Sequence, residues 1–265
     1  MYRVHAVIIV EDEGRNEGTS ISRTNFKYQL TQPVNFYKRG EKYQYFARIE
    51  NVRLPISFYN INSNYNTFGY TASTTGVVTF DMTSGNYTID EAIAELQVQM
   101  NLLDNNTYTI TYDEITQKVN IASTGTENIA TLVGDGWRTM GFNLTETITG
   151  VSNVTGTNVA YTNTARHLKL LVNNITSNNV YANEHLNSNG LKNTNLQRVS
   201  LVIPITQTRN EFQFYDNHDG YYIKLPNMGN IHELDVRLVD VFNNDVDLNG
   251  VPWGMEVVIY KMKKY

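Results

Sequence analysis

Residues 43–55 read YQYFARIENVRLP, and the pattern of this stretch decides the fold class. Its apolar side chains alternate with polar ones before the pattern ends at Pro55: Tyr43, Tyr45, Ala47, Ile49, Val52 and Leu54. Alternation with a period of two puts one set of side chains on each face of a β-strand. The sequence therefore predicts a long strand with one buried face.

Further strand candidates lie on both sides of this stretch. Residues 4–10 are a β-branched run that is typical of a strand or an extended arm, and residues 26–30 alternate. The later candidates are residues 168–172, 199–205, 212–215, 221–225, 234–239 and 255–260. Eight or more strands with long connections favour an all-β Greek-key sandwich, and the leading case is a single jelly roll. A meander barrel would need shorter and more even hairpins.

The middle of the chain has a different character. Thr88 and Glu91 have the spacing of a capping box, and apolar residues at three- and four-residue intervals follow, which predicts a helix over 89–103. Residues 108–121 predict a hairpin, and residues 129–133 a short helix.

These patterns predict a domain layout. An N-terminal arm covers 1–24, the jelly roll covers 25–64 and 146–265, and a small α+β insertion covers 65–145. The stretch 173–197 is interpreted as a long polar loop, and residues 216–220, the densest polar cluster, as a turn.

Composition narrows the function classes. Charged residues make up 18% of the 265 residues, and Tyr (18) far outnumbers Trp (2). The net charge of −5, with scattered basic residues, argues against direct nucleic-acid binding. Cysteine is absent, which excludes disulfides and thiolate sites and fits assembly in a reducing compartment. The apolar start of the chain is too short for a membrane span.

One stretch matches a calcium-loop pattern. The sequence DVDLNG at 245–250, followed by Glu256, fits the expression that defines such loops, with Asp245, Asp247, Asn249 and Glu256 as candidate ligands. An EF-hand needs a helix on each side, whereas the flanking residues here predict strands. The stretch is therefore interpreted as a connecting loop, with a calcium site as the alternative.

Enzymatic motifs are missing from the sequence. The five His residues are dispersed, and no nucleophile elbow, Walker loop or dinucleotide-binding glycine pattern occurs. The sequence thus predicts no catalytic residues, no cofactor-binding residues and no cofactor, and the protein is not expected to be an enzyme.

Four phrases of the chain resemble those of a known family, the penton-type minor capsid proteins of virophages and Polinton/Maverick elements. They are LPISFYNI at 54–61, SGNYTIDEAI at 84–93, the hairpin YDEITQKV at 112–119 ahead of Met140-Gly141-Phe142, and the closing segment 231–259 with DLNGVPW. In order and spacing they cover most of the chain from Tyr43 onward.

The resemblance implies a capsid protein of the double-jelly-roll virus lineage. It implies a vertex (penton) subunit with upright strands, which assembles as a homopentamer and contacts the major capsid protein of the same particle. The insertion would project outward or contact neighbours. It implies a location in the virion, with assembly in the host cytoplasm or nucleus.

Other functions stay open. A carbohydrate-binding or receptor-attachment β-sandwich module is the main alternative, and Tyr221-Tyr222 and the 173–197 loop are the features to probe for it. A sandwich glycosidase would need two paired carboxylates, which the sequence does not indicate. A double-barrel trimeric capsomer would need about twice this chain length.

Overall fold

The computed structural model describes residues 3–14, 20–36, 42–72, 76–103, 106–124, 129–143, 147–151, 153–162, 167–173, 175, 180–186, 192–198, 200–208, 210–225 and 230–263. The chain divides into two compact units, which we call the sandwich unit (residues 1–58 and 165–265) and the inserted unit (residues 59–164). The domain limits given above, 25–64 with 146–265 and 65–145, stay predictions.

The chain passes from the sandwich unit into the inserted unit and then back into the sandwich unit. The sandwich unit opens with β1 (Arg3–Glu11), β2 (Asn25–Asn35) and β3 (Tyr43–Pro55). The inserted unit contains β4 (Thr67–Ala72), β5 (Gly76–Asp81), α1 (Ile89–Leu103), β6 (Thr107–Asp113), β7 (Lys118–Thr124), β8 (Ile129–Val133), β9 (Thr147–Val151) and β10 (Asn153–Thr155). The sandwich unit resumes with β11 (His167–Val172), β12 (Val180–Leu186), β13 (Lys192–Arg198), β14 (Leu201–Pro204), β15 (Phe212–Asp216), β16 (Ile223–Lys224), β17 (Asn230–Val239) and β18 (Gly254–Lys263).

Two antiparallel sheets build the sandwich unit. The front sheet has the order β1-β18-β3-β15, with β16 also paired to β3, and the back sheet has the order β14-β11-β17-β2. If the eight main strands are lettered B to I in chain order, these orders become B-I-D-G and F-E-H-C. That connectivity defines a jelly roll, so the predicted fold class is confirmed.

The core of the sandwich unit lies between its two sheets. Inward residues of β3, such as Ala47, Ile49 and Leu54, pack in one cluster with residues of the back sheet such as Leu170 and Val236. Each buried Ile, Leu or Val side chain of this cluster stabilises the fold by about 1.5–3 kcal/mol. The hydrophobic side of the alternating pattern therefore fixes which face of each strand points outward.

A buried polar contact fastens the end of β1 to the start of β18. The Asp12 carboxylate, which is fully buried, accepts hydrogen bonds from Arg23 Nη1 at 2.8 Å and from the Trp253 backbone N–H at 3.0 Å. The Trp253 indole N–H donates to the Arg23 carbonyl oxygen at 2.8 Å. Within the segment predicted as an arm, residues Arg3–Glu11 therefore form a strand that is held at both its edge and its end.

The inserted unit has a core of its own. Helix α1 has the predicted bounds, and its capping box is confirmed: the Thr88 N–H donates to Glu91 Oε2 at 2.8 Å and the Glu91 N–H to Thr88 Oγ1 at 3.2 Å. Leu96 and Met100 on its buried face join a cluster that contains Trp137. The predicted hairpin is confirmed as β6 and β7.

Two local predictions were wrong. Residues 129–133 form strand β8, which pairs with β4 and β9, because a five-residue run with alternating β-branched residues is too short for a helix and suits a sheet. The 173–197 stretch contains the hairpin β12–β13. The many Asn residues of this stretch predicted a loop, but backbone hydrogen bonds pair its two strands in an antiparallel register.

We expect Asp12→Ala to lower the free energy of unfolding by about 1–3 kcal/mol, because it leaves the buried Trp253 N–H without this acceptor. Urea denaturation monitored by Trp fluorescence measures the change. Asp12→Asn keeps an acceptor oxygen and is expected to lose less. Equal stability of wild type and Asp12→Ala would show that this contact does not hold β1 in place.

Candidate assembly surface

The outer face of β1 carries a row of exposed aliphatic side chains, which we call the β1 row. Val4, Val7 and Ile9 are 57%, 50% and 66% exposed, whereas Ile8 and Val10 between and beside them are buried in the core. Strand β1 is also an edge of the front sheet. The β1 row therefore exposes aliphatic side chains of types that are usually buried in folded proteins.

The opposite edge of the same sheet carries a second apolar row. Phe212 and Phe214 of β15, the β15 row, are 46% and 75% exposed on the outer face. Gln213 between them is buried and donates to the Pro204 carbonyl oxygen on β14. That anchor fixes the two phenyl rings outward.

A bulge in β3 shapes the middle of this face. Met255 pairs with Val52 and Val257 with Ile49, so one residue of β18 lies opposite two residues of β3, Glu50 and Asn51. A bulge of this kind re-aims a side chain without breaking the sheet. Here it lets Val52 and Leu54 point into the core like Ile49, while Arg48 and Glu50 share the outer face by the ordinary alternation of the strand.

Glu50 is the centre of a polar cluster on the outer face. Its Oε1 accepts hydrogen bonds from Arg48 Nε at 3.0 Å and Nη2 at 2.6 Å, and from the Tyr260 hydroxyl. The Arg48 guanidinium lies over the rings of Tyr222 and Tyr260, 4.8 and 5.2 Å from their centroids. The His218 Nδ1 lies 3.1 Å from Glu50 Oε2. Two opposite charges are thus held in a nearly solvent-free site.

The protonation of this cluster follows from its contacts. Burial alone would raise the pKa of Glu50, but the hydrogen bonds from Tyr260 and Arg48, with the charges of Arg48 and His218, outweigh it and lower the pKa. Burial and the hydrogen bond to Glu50 raise the pKa of Tyr260 to about 12. At neutral pH, Glu50 is a carboxylate and Tyr260 a hydroxyl donor.

The turn 217–222 covers the cluster and forms one wall of a groove. Asn217 anchors the turn to β3, because its N–H donates to the Glu50 carbonyl oxygen at 2.7 Å and its Nδ2 to the Ile49 carbonyl oxygen at 2.9 Å. The groove, of about 720 Å³, runs between this turn and β14. Tyr221 at its rim is 92% exposed. The predicted turn at 216–220 is confirmed.

The structure does not gather the candidate calcium ligands. Asp245 pairs with Arg237 Nε at 2.6 Å, and Asp247 Oδ1 accepts the Asn249 N–H at 2.8 Å. Glu256 lies on the outer face of β18, where it accepts a hydrogen bond from Asn51 at 2.6 Å. In the part of the chain that the structure describes, no three His, Asp or Glu side chains are grouped as a metal would need.

The solved structures that resemble this chain include two of low sequence identity. No family model matches the sequence, and no curated protein matches it. A mavirus penton protein is similar over 100% of both chains, with 10% sequence identity and a TM-score of 0.45. A chain from the Sputnik virophage structure is similar over 100% of this chain and 99% of that one, with 12% identity and a TM-score of 0.46. The jelly-roll assignment itself follows from the strand connectivity.

Among the residues described, no helix has the length and apolarity needed to cross a bilayer.

We expect Glu50→Gln to destabilise the protein by about 3 kcal/mol at neutral pH, since it leaves the Arg48 guanidinium in place without its counter-charge. The pKa of Glu50 in the folded state lies below its unfolded value of about 4.3, so its stabilising effect is present above that pH and is lost as the pH falls through the folded pKa. The difference in free energy of unfolding between wild type and Glu50→Gln should therefore become smaller in acid.

Urea denaturation at a series of pH values from 7 down to about 3 measures this difference. Glu256→Gln is the matched control on the same face, and we expect it to change stability by less than about 0.5 kcal/mol. A difference for Glu50→Gln that is absent at neutral pH, or unchanged in acid, would contradict the assigned charge pair.

The calcium interpretation stays a prediction that titration calorimetry can test. Because Asp245 is already neutralised by Arg237, we expect no heat of binding and no shift of Tm at millimolar calcium. Saturable heat that Asp247→Asn abolishes would establish a calcium site.

Proposed function

We propose that this chain is a structural virion protein, a vertex (penton) subunit of an icosahedral capsid. In this proposal it assembles as a homopentamer and contacts the major capsid protein of the same particle. It acts through its surfaces, without catalytic residues, a cofactor, a membrane span or direct nucleic-acid contact. Its location is the virion, after assembly in the host cytoplasm or nucleus.

The observation that carries the proposal is the exposed apolar surface on the front sheet. The β1 row and the β15 row leave five large hydrophobic side chains on one outer face, although the sandwich core behind them is complete. Each row is a separate group of exposed apolar side chains at one edge of the sheet, and grouped apolar surface on a folded domain marks an interaction site. In a chain that self-assembles, contact with a second copy buries such a surface.

The fold and the sequence phrases support the choice of capsid position. The strands form a single jelly roll, and the inserted unit interrupts only the connection between β3 and β11. The phrases at 54–61, 84–93, 112–119 and 231–259 resemble those of penton-type proteins. A single jelly roll is half of a double-barrel capsomer, which favours the vertex over the trimeric position.

Native mass spectrometry of the purified chain tests the assembly state, and we expect a pentamer. The double substitution Val7→Lys with Ile9→Lys puts charges into the β1 row and is expected to shift the population to monomers by at least tenfold, because each lysine must stay solvated. Ile21→Lys changes a side chain that is 79% exposed outside both rows, and is the control. A persistent monomer of the wild type, or a trimer, would contradict the proposal.

One observation favours a second function, a carbohydrate-binding or receptor-attachment module. The exposed ring of Tyr221 stands beside the groove together with polar side chains of the 216–220 turn, and aromatic faces with polar neighbours suit sugars. A glycan array tests it. Binding that Tyr221→Ala abolishes, in a chain that remains monomeric, would replace the capsid proposal with this one.

A further inference from the structure

The front sheet has two unlike surfaces at its two edges. One edge carries the exposed β1 row, and the other holds the groove lined by Tyr221 with the β15 row next to it. Three inter-strand spacings, about 14 Å, separate the two edge strands. Since the edges point away from each other, one protomer can use both at once.

A closed ring needs two different contact surfaces on each protomer. In a ring of five, each protomer contacts its neighbours through two different surfaces, and the rotation must close. Resting on the proposed function, we infer that the occupant of the groove is a second copy of this chain: the β1 row of one protomer packs into the groove of the next and against its Tyr221. The same contact repeats around the ring.

The strand register puts the β1 row and the groove at the same level along the strand direction, which we call their height. Val7 pairs with Val258, and Val258 with Arg48, so these residues form one line across the sheet. The turn 217–222 leaves β15 and rejoins the sheet at β16, on either side of Arg48 along β3. In the inferred ring the axis runs parallel to the strands, and rotation about such an axis keeps this height unchanged. It therefore brings the middle of the β1 row to the level of the turn in the neighbouring protomer.

Charge also matches across the inferred contact. Arg3 is exposed at the start of β1, and Asp219 lies in the wall of the groove. Within the described part of the chain, neither side chain has an ion-pair partner. A head-to-tail contact brings a cation from one protomer towards a carboxylate of the next.

Cross-linking tests the contact directly, because the chain has no cysteine of its own. Ile9→Cys and Tyr221→Cys variants are co-expressed, purified as assemblies and treated with a short bismaleimide. We expect covalent dimers from the mixture and none from either variant alone. Ile21→Cys co-expressed with Tyr221→Cys is the matched control and is expected to give no dimers.

The outcomes separate this inference from the proposed function. Dimers from Ile9→Cys alone would mean that two β1 rows pack together, which overturns the head-to-tail contact. Pentamers in native mass spectrometry without dimers from the mixture would also overturn it, while the capsid proposal stands. A wild-type chain that stays monomeric rejects both. Dimers in the mixture only, together with pentamers, support both.

Discussion

The alternation of side chains along β3 is the constraint on which the rest of the sandwich unit depends. Its inward side chains are buried in the core, and its neighbour β15 pairs with it without a register shift. A shift by one residue would turn the core outward, so the register is strongly fixed. The outward residues are therefore held on a rigid frame, although they contribute little to the core.

The bulge at Glu50 and Asn51 is the place where β3 departs from this rule. It adds one outward position in the middle of the face, next to the buried ion pair of Arg48 and Glu50. Buried ion pairs contribute less to stability than their attraction suggests, since both charges lose their hydration. Here the pair holds the 217–222 turn through His218 and gives the groove a fixed wall. Its role is positional, because it orders a loop on an otherwise exposed edge.

Much of the fold could be predicted from local patterns. The alternation in 43–55 and the Thr88–Glu91 capping box each have one physical interpretation, and both gave the correct element. The 129–133 stretch failed because a short apolar run fits a helix or a strand, and only its partners β4 and β9 decide between them. The calcium pattern specifies residue types, but Arg237, which pairs with Asp245, lies outside it.

The candidate surface was harder to predict. A sequence shows that Val4, Val7 and Ile9 are apolar, but it does not show that the core is already complete without them. Arg48 and Glu50, two residues apart on a strand, were a usable signal, because charges at that spacing share a face. The groove depends on the pairing of β15 and β16 with one edge of β3, which no local pattern contains.

The pairing of β1 with β18 has a consequence for synthesis. Strand β1 leaves the ribosome before every other described strand, yet its only partner in the sheet follows all of them. Contacts so distant in sequence form late. An unfinished polypeptide that lacks β18 therefore also lacks a formed β1 edge, so the outer surface that β1 carries exists only once the chain has been synthesised through β18.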